Sequence, residues 1–242
     1  MKKLALLSLW FPLAVIAAEA GYRLDRSLHD PRDLASLQSG ARIYVNYCLG
    51  CHGAQFMRYN RLTELGLTEA QIRDNLMFTA DKVGETMKTV MPVKESKSWF
   101  GVAPPDLSVV ARSRGPDWLY TYLRTFYRDP KTPTGWNNAV FPNVAMPHVL
   151  WTLQGERSLE SAVAKDLAGH GQVQYKWTQL SEGSETAVQY DATVRDLVNF
   201  LAYIGEPAAA SRKAIGIVVL FVLGVLFIFA YLLKKEFWKD VH

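Results

Sequence analysis

The sequence predicts a mainly α-helical domain with long loop insertions, held by one C-terminal transmembrane helix. Three observations predict it. Apolar residues recur at three- and four-residue steps in several segments. Ala214 to Leu233 is a run of 20 residues without a charge. Cys48-Leu49-Gly50-Cys51-His52 is a C-x-x-C-H motif, and Cys48 and Cys51 are the chain's only 2 cysteines. That motif is the attachment signature of a c-type haem. Its thiols, about one helical turn apart, face one edge of a flat ring, and the next residue offers an imidazole to the iron. A thioredoxin-type dithiol, a structural disulfide and half of a zinc site are the competing uses of such a pair. With no second cysteine pair, a four-cysteine zinc site within this chain is excluded.

The chain begins Met1-Lys2-Lys3, continues through a largely apolar run of 15 residues from Leu4 to Ala18, and reaches Glu19-Ala20-Gly21. A basic start, a short apolar stretch and small residues make a secretory signal peptide. Ala18-Glu19-Ala20 fits the cleavage pattern best, giving a signal over residues 1–20. A retained anchor is the alternative, although the run is short against the ~20 residues of a span. The run Ala214 to Leu233 does reach ~30 Å as a helix, the thickness of a hydrocarbon core. Export of the body places the tail, with Lys234, Lys235 and Lys239, on the cytoplasmic side, where basic residues concentrate. The expected organisation is a haem domain over 21–210, an anchor over 211–235 and a cytoplasmic tail over 236–242.

Net charge follows the same division. Seven of the 27 Lys and Arg residues and three of the 23 Asp and Glu residues lie in the terminal segments, so the body is neutral. The +4 of the whole chain reflects topology and gives no reason to expect nucleic acid as a partner.

Within the body, Asp30-Pro31-Arg32-Asp33 marks a helix start. Leu34, Leu37, Ala41, Tyr44, Val45 and Cys48 follow along one face and lead into the haem motif. A second helical pattern covers Glu64 to Phe78, with Thr68 and Gln71 spaced as a capping box. Trp99 to Leu107 reads as a loop; Val109 to Ala111 begins a short apolar segment that ends at Gly115. Pro116-Asp117-Trp118 starts another helix. Asp129 to Pro147, with four prolines and Gly135, reads as irregular, and Trp151 to Gln179 gives no clear fold signal. Asp191 to Gly205 reads as the last helix before the anchor, with Val194, Leu197, Val198, Leu201 and Ile204 on its apolar face.

His52 supplies one axial ligand, and the second must come from another side chain or from outside. Met91-Pro92 and Met146-Pro147 are the two candidates in which proline favours an extended, loop-borne methionine. His148 competes with Met146 from two residues away. Spacing alone does not choose among them.

Taken in order, these segments resemble the cytochrome c1 family, the haem subunits of quinol–cytochrome c (bc1) complexes. The resemblance spans essentially the whole mature chain. It is carried by Ile43 to His52, Met57 to Leu62, Ala103-Pro104-Pro105-Asp106-Leu107-Ser108, Ala111 to Arg114, Pro133-Thr134-Gly135 and Val144-Ala145-Met146-Pro147. Asp196 to Leu201, Gly205-Glu206-Pro207 and the C-terminal apolar helix complete it. Only C-x-x-C-H is specific by itself; the order of the pieces supplies the rest.

The resemblance implies a cytochrome c-type haem domain carrying one covalent haem c. It implies Met146 as the sixth ligand, Pro105 lining the haem pocket and Arg114 pairing with a haem propionate. Trp118 stands where the family often has a tyrosine. The implied partners are cytochrome b, a Rieske iron–sulfur protein as electron donor and a soluble c-type cytochrome as acceptor. The chain would be an electron-transfer subunit, with no catalysis by itself, in the inner membrane of a bacterium with its haem domain in the periplasm. The alternative function is a membrane-anchored monohaem cytochrome serving another respiratory oxidase or reductase. A peroxidase-like haem enzyme, with an open iron site, is the more distant alternative.

Overall fold

Two helices far apart in sequence form the centre of the domain. The computed structural model describes residues 22–165 and 171–240. The expected signal segment and cleavage site, with His170 and His242, lie outside these residues.

Helix α1, Leu34–Ile43, starts where Asp33 accepts a hydrogen bond from the Ser36 N–H at 3.0 Å. Its partner is α7, Ala187–Gly205. Leu37 and Ala41 on α1 are buried together with Val194, Leu197, Val198, Leu201 and Ile204 of α7. Each such aliphatic side chain removed from water contributes roughly 1.5–3 kcal/mol. The two helices touch at Gly40, where a Cβ would lie 2.0 Å from the Asp196 carbonyl oxygen. Polar bonds fix the register across the contact. The Ser36 hydroxyl donates to Asp196 at 2.7 Å, and the Asn199 amide donates to the Asp30 carbonyl at 2.8 Å. These bonds account for the two polar residues of Asp196-Leu197-Val198-Asn199-Phe200-Leu201. Leu34, expected on the apolar face of α1, is exposed.

Beyond Ile43 the helix widens into one π-helical turn, Tyr44–Cys48, with the Leu49 N–H donating to the Tyr44 carbonyl at 3.0 Å. π turns of this kind recur at functional sites. Strand β1, Ala54–Arg58, then pairs antiparallel with β2, Thr86–Met87. Between them lie a 3₁₀ turn, Tyr59–Leu65, and α2, Glu69–Asn75. The Thr68–Gln71 capping box is formed as expected. The helix is shorter than the Glu64 to Phe78 pattern because Gly66, in the left-handed region at φ 82°, separates it from the 3₁₀ turn.

Three short helices follow: α3, Val93–Phe100; α4, Val110–Arg114; and α5, Pro116–Arg124. Strands β3, Phe126–Arg128, and β4, Trp136–Asn138, form a second antiparallel pair inside the stretch expected to be irregular. A turn of helix, α6, Trp151–Gln154, leads into β5, Gly155–Lys165, which pairs with β6, Gly171–Glu182. This hairpin occupies the segment that gave no fold signal. Helix α7 begins four residues before the expected Asp191, because Thr186 and Gln189 form a second capping box.

The class is mainly α, as the sequence predicts, with three two-stranded sheets added to it among the described residues. Helix α8, Ala209–Phe237, is 29 residues long with a mean hydropathy of 3.0 in its most apolar window. Its apolar side chains are exposed rather than packed on the domain, with Phe221 at 72% and Ile217 at 70%. Water disfavours such a surface, whereas a hydrocarbon core accommodates it.

Candidate functional site

The π turn at the end of α1 delivers the motif. Cys48 closes it, and the Cys48 carbonyl accepts from the N–H groups of Cys51 at 3.0 Å and His52 at 2.7 Å. The motif is therefore one tight turn. Cys48 is buried and Cys51 half-buried, both as free thiols. Burial pushes the Cys48 thiol up to about 12 and raises that of Cys51 as well. Redox-exchange dithiols depend on the opposite shift, so the environment does not favour that use of the pair.

A second segment is zipped onto the motif. The Leu107 N–H donates to the Gly53 carbonyl at 2.8 Å. Asp106 accepts from the Gln55 N–H at 2.9 Å and from the Ser108 N–H at 2.9 Å. The Ser108 hydroxyl accepts from the Phe56 N–H at 3.0 Å. These bonds hold the Pro105 carbonyl 2.7 Å from His52 Nδ1. A carbonyl only accepts, so Nδ1 carries the hydrogen and the neutral ring leaves its lone pair on Nε2. Burial, the dominant influence, also lowers the His52 pKa and favours the neutral ring. The Tyr44 hydroxyl donates to the His52 carbonyl at 2.8 Å and fixes the backbone beneath.

Two adjoining recesses open beside this turn. One of about 100 Å³ is lined by Cys48, Cys51, His52, Pro105 and Met146. The other, about 440 Å³, is lined by Cys48, His52, Pro105, Arg114 and Met146. Its walls are largely apolar, including Leu119, Leu123, Val144, Leu197 and Leu201. Its size falls within the ~300–1,000 Å³ of common small-molecule pockets. Cys48, His52, Pro105 and Met146 border both recesses, Cys51 borders the smaller and Arg114 the larger. The Arg114 guanidinium sits at its exposed rim, 5.1 Å from the Trp118 ring centre and 5.9 Å from that of Phe141.

The competing ligands are elsewhere. Met91 lines neither recess, and its N–H donates to the Thr89 hydroxyl at 3.1 Å. Met57 and Met87 are core residues. His148, at 2% exposure, stacks on Phe126 at 4.9 Å and meets Trp136 edge-on at 5.1 Å. Burial drives its pKa down to about 3, so it is a neutral core ring outside the cleft. The sequence places it two residues from Met146, but the fold turns the two apart. His29 shares a hydrogen bond of 2.8 Å with the Ser27 hydroxyl, away from the cleft.

Sequence reasoning did not identify Tyr122, whose hydroxyl lies 3.3 Å from Met146 Sδ. It also left Trp118 without a role; the two rings stack at 4.8 Å. Both looked like ordinary members of an apolar helix face, and the 24 residues between Tyr122 and Met146 carry no local signal.

The donor set fits a covalently attached haem. It combines two thiols on one turn, an imidazole with its Nε2 lone pair free, and a thioether bordering the same apolar cleft.

Comparison with known proteins agrees with this chemistry. The Cytochrome C1 family matches residues 26–241. The chain is 48% identical over 246 residues to cytochrome c1 of Allochromatium vinosum, covering 100% of both chains. It is also 48% identical over 243 residues to a Nitrosomonas europaea protein named ammonia monooxygenase gamma subunit, covering 100% of this chain and 99% of that one. Cytochrome c1 of Rhodospirillum rubrum is 27% identical over 246 residues, covering 86% of this chain and 83% of its own. A family match across nearly the whole chain, with a full-length relative at 48% identity, places this chain in the cytochrome c1 family.

Proposed function

We propose that the chain is the haem-bearing electron-transfer subunit of a quinol–cytochrome c reductase. In this reading Cys48 and Cys51 would hold haem c through thioethers, and His52 and Met146 would ligate its iron. Once bound, the haem supplies a one-electron iron couple. The carrying observation is the shared cleft border of Cys48, His52 and Met146, with His52 turned by the Pro105 carbonyl. Such a carbonyl fixes the tautomer and strengthens the imidazole as a donor. Pro105 and the aliphatic walls exclude water, and Arg114 at the rim offers a bidentate cation to a propionate.

The chain takes an electron from a Rieske iron–sulfur protein and passes it to a soluble c-type cytochrome. It does so beside cytochrome b and catalyses nothing alone. A soft thioether donor favours ferrous iron and raises the potential, which suits an acceptor downstream of quinol oxidation. Mild detergent extraction, followed by identification of the proteins retained by this chain, tests the assignment. Cytochrome b and a Rieske protein are the expected companions. A different oxidase or reductase in their place would favour the other respiratory role.

The reading also fixes topology: signal peptide 1–20, domain 21–210 in the periplasm, anchor 211–235 in the inner membrane and tail 236–242 in the cytoplasm. Ending the exported chain after Ala210 should yield a haem-loaded domain that fractionates with soluble protein, because the long apolar span lies beyond that point. Retention in the membrane would mean that the N-terminal run is itself an anchor.

Arg114→Gln should lower the haem potential, since a cation near the ring disfavours the more positive ferric state. Redox titration of the purified protein reads this directly. An unchanged potential would leave Arg114 as a surface residue stacked on Trp118.

A further inference from the structure

Tyr122 occupies the cleft wall facing Met146. Its ring is nearly buried, stacked on Trp118 at 4.8 Å and edge-on to Phe126 at 5.0 Å. Its backbone is anchored too, because the Tyr122 carbonyl accepts from the Asn138 amide at 2.7 Å. Asn138 is wholly buried and accepts from the N–H groups of Val140 at 2.9 Å and Phe141 at 3.0 Å. Neighbouring Asn137 accepts from the Asn143 N–H at 2.8 Å, three residues before Met146. One polar network therefore ties the end of α5 to the loop that carries Met146. The hydroxyl of Tyr122 lies 3.3 Å from Met146 Sδ, and among the described residues this is its hydrogen-bond partner.

We infer that Tyr122 is a positioning residue for the methionine ligand, its O–H donating to Met146 Sδ, holding the thioether toward the iron and raising the reduction potential. The inference rests on Met146 being the sixth ligand. Thioether sulfur is a weak acceptor with lone pairs to share between a donor and a metal. Donation from a phenol draws electron density from the sulfur. Ferric iron gains more from that density than ferrous iron does, so the hydrogen bond disfavours the oxidised state. A neutral hydrogen bond has a net strength of ~0.5–1.5 kcal/mol, so the expected change in the reduced-to-oxidised ratio at fixed poise is about two- to tenfold.

The test is Tyr122→Phe in the full-length, haem-loaded protein in detergent, with Met146→Leu alongside. Phenylalanine keeps the ring that stacks on Trp118 and removes only the donor. The expected result is a potential lowered by that ratio, with a shifted but retained red absorption band from the sulfur–ferric bond and unchanged haem content and melting temperature. A purely structural role would move the last two and spare the first. If Tyr122→Phe alters neither potential nor band while Met146→Leu abolishes the band, the inference falls and the ligand assignment stands. If Met146→Leu leaves the band intact, both fall. Should Tyr122→Phe fail to load haem, the unsubstituted ferrous protein decides. The Met146 methyl, labelled with carbon-13, should show a nuclear Overhauser contact to the Tyr122 hydroxyl proton. Absence of that contact, with the methyl resonance assigned, overturns the proposal.

Discussion

Met146→Leu strongly lowers the haem reduction potential and abolishes the weak red absorption band of a sulfur–ferric bond, whereas Met91→Leu changes neither. Choice of axial ligand alone spreads haem potentials over ~0.8 V, so loss of a thioether is a large perturbation. Leucine has nearly the volume of methionine, so the apolar wall stays filled. Both methionines precede proline and both are plausible by sequence. The fold separates them: Met146 borders both recesses beside His52, and Met91 borders neither. A loss of the band with Met91→Leu would transfer the ligand there. A change with His148→Ala alone would indicate two histidines, against the sealed position of His148 between Phe126 and Trp136.

Gly40→Val destabilises the domain by about 3 kcal/mol or more, at the upper end of the cost of overpacking a core. For a domain of this size that lowers the melting temperature by roughly 6–12 °C. The added Cβ would meet the Asp196 carbonyl oxygen at 2.0 Å and Phe200 Cβ at 2.7 Å, so α1 and α7 must part. Parting them strains the Ser36–Asp196 bond and the Tyr44–Phe200 contact of 5.7 Å, made by the first residue of the π turn. Reduced haem loading should accompany the lower melting temperature. Gly50→Ala, in the same region but with open space around its Cβ, should change the melting temperature little. Equal effects from both would remove the packing explanation.

The parts legible in the sequence share a local cause. The Thr68–Gln71 cap, Pro116 at the start of α5 and the apolar face of α7 are set by neighbours within a few residues, and each formed. The Thr186–Gln189 cap carried the same kind of signal and extends α7 past the expected boundary. In the sequence of β6, Tyr175 and Trp177 alternate with Gln174, Lys176 and Thr178 as strand residues do, but the paired β5 is mostly polar or small in its side chains, which weakens the pattern.

The cleft border was readable for Cys48, Cys51 and His52 because one short motif holds all three. Met146 was one of two methionines marked by a following proline, and resemblance chose it; Pro105 and Arg114 came from resemblance alone, because nothing in their own spacing points to His52. What sequence could not supply was the set of contacts closed by the fold. Tyr122 meets Met146 across 24 residues, Pro105 meets His52 across 53, and Asp106 meets Gln55 across 51. His148 shows the same limit in reverse: adjacency in sequence made it a competing ligand, and packing of its ring placed it in the core.

The central claim is that Cys48 and Cys51 covalently hold one haem. Mass spectrometry of the denatured chain, purified from a host with haem-attachment machinery, tests it most directly. The account predicts a mass equal to the processed polypeptide plus one haem, with the haem retained on a peptide containing Cys48 and Cys51 after digestion. Haem that leaves in acidified acetone, with both cysteines found unmodified, would contradict it.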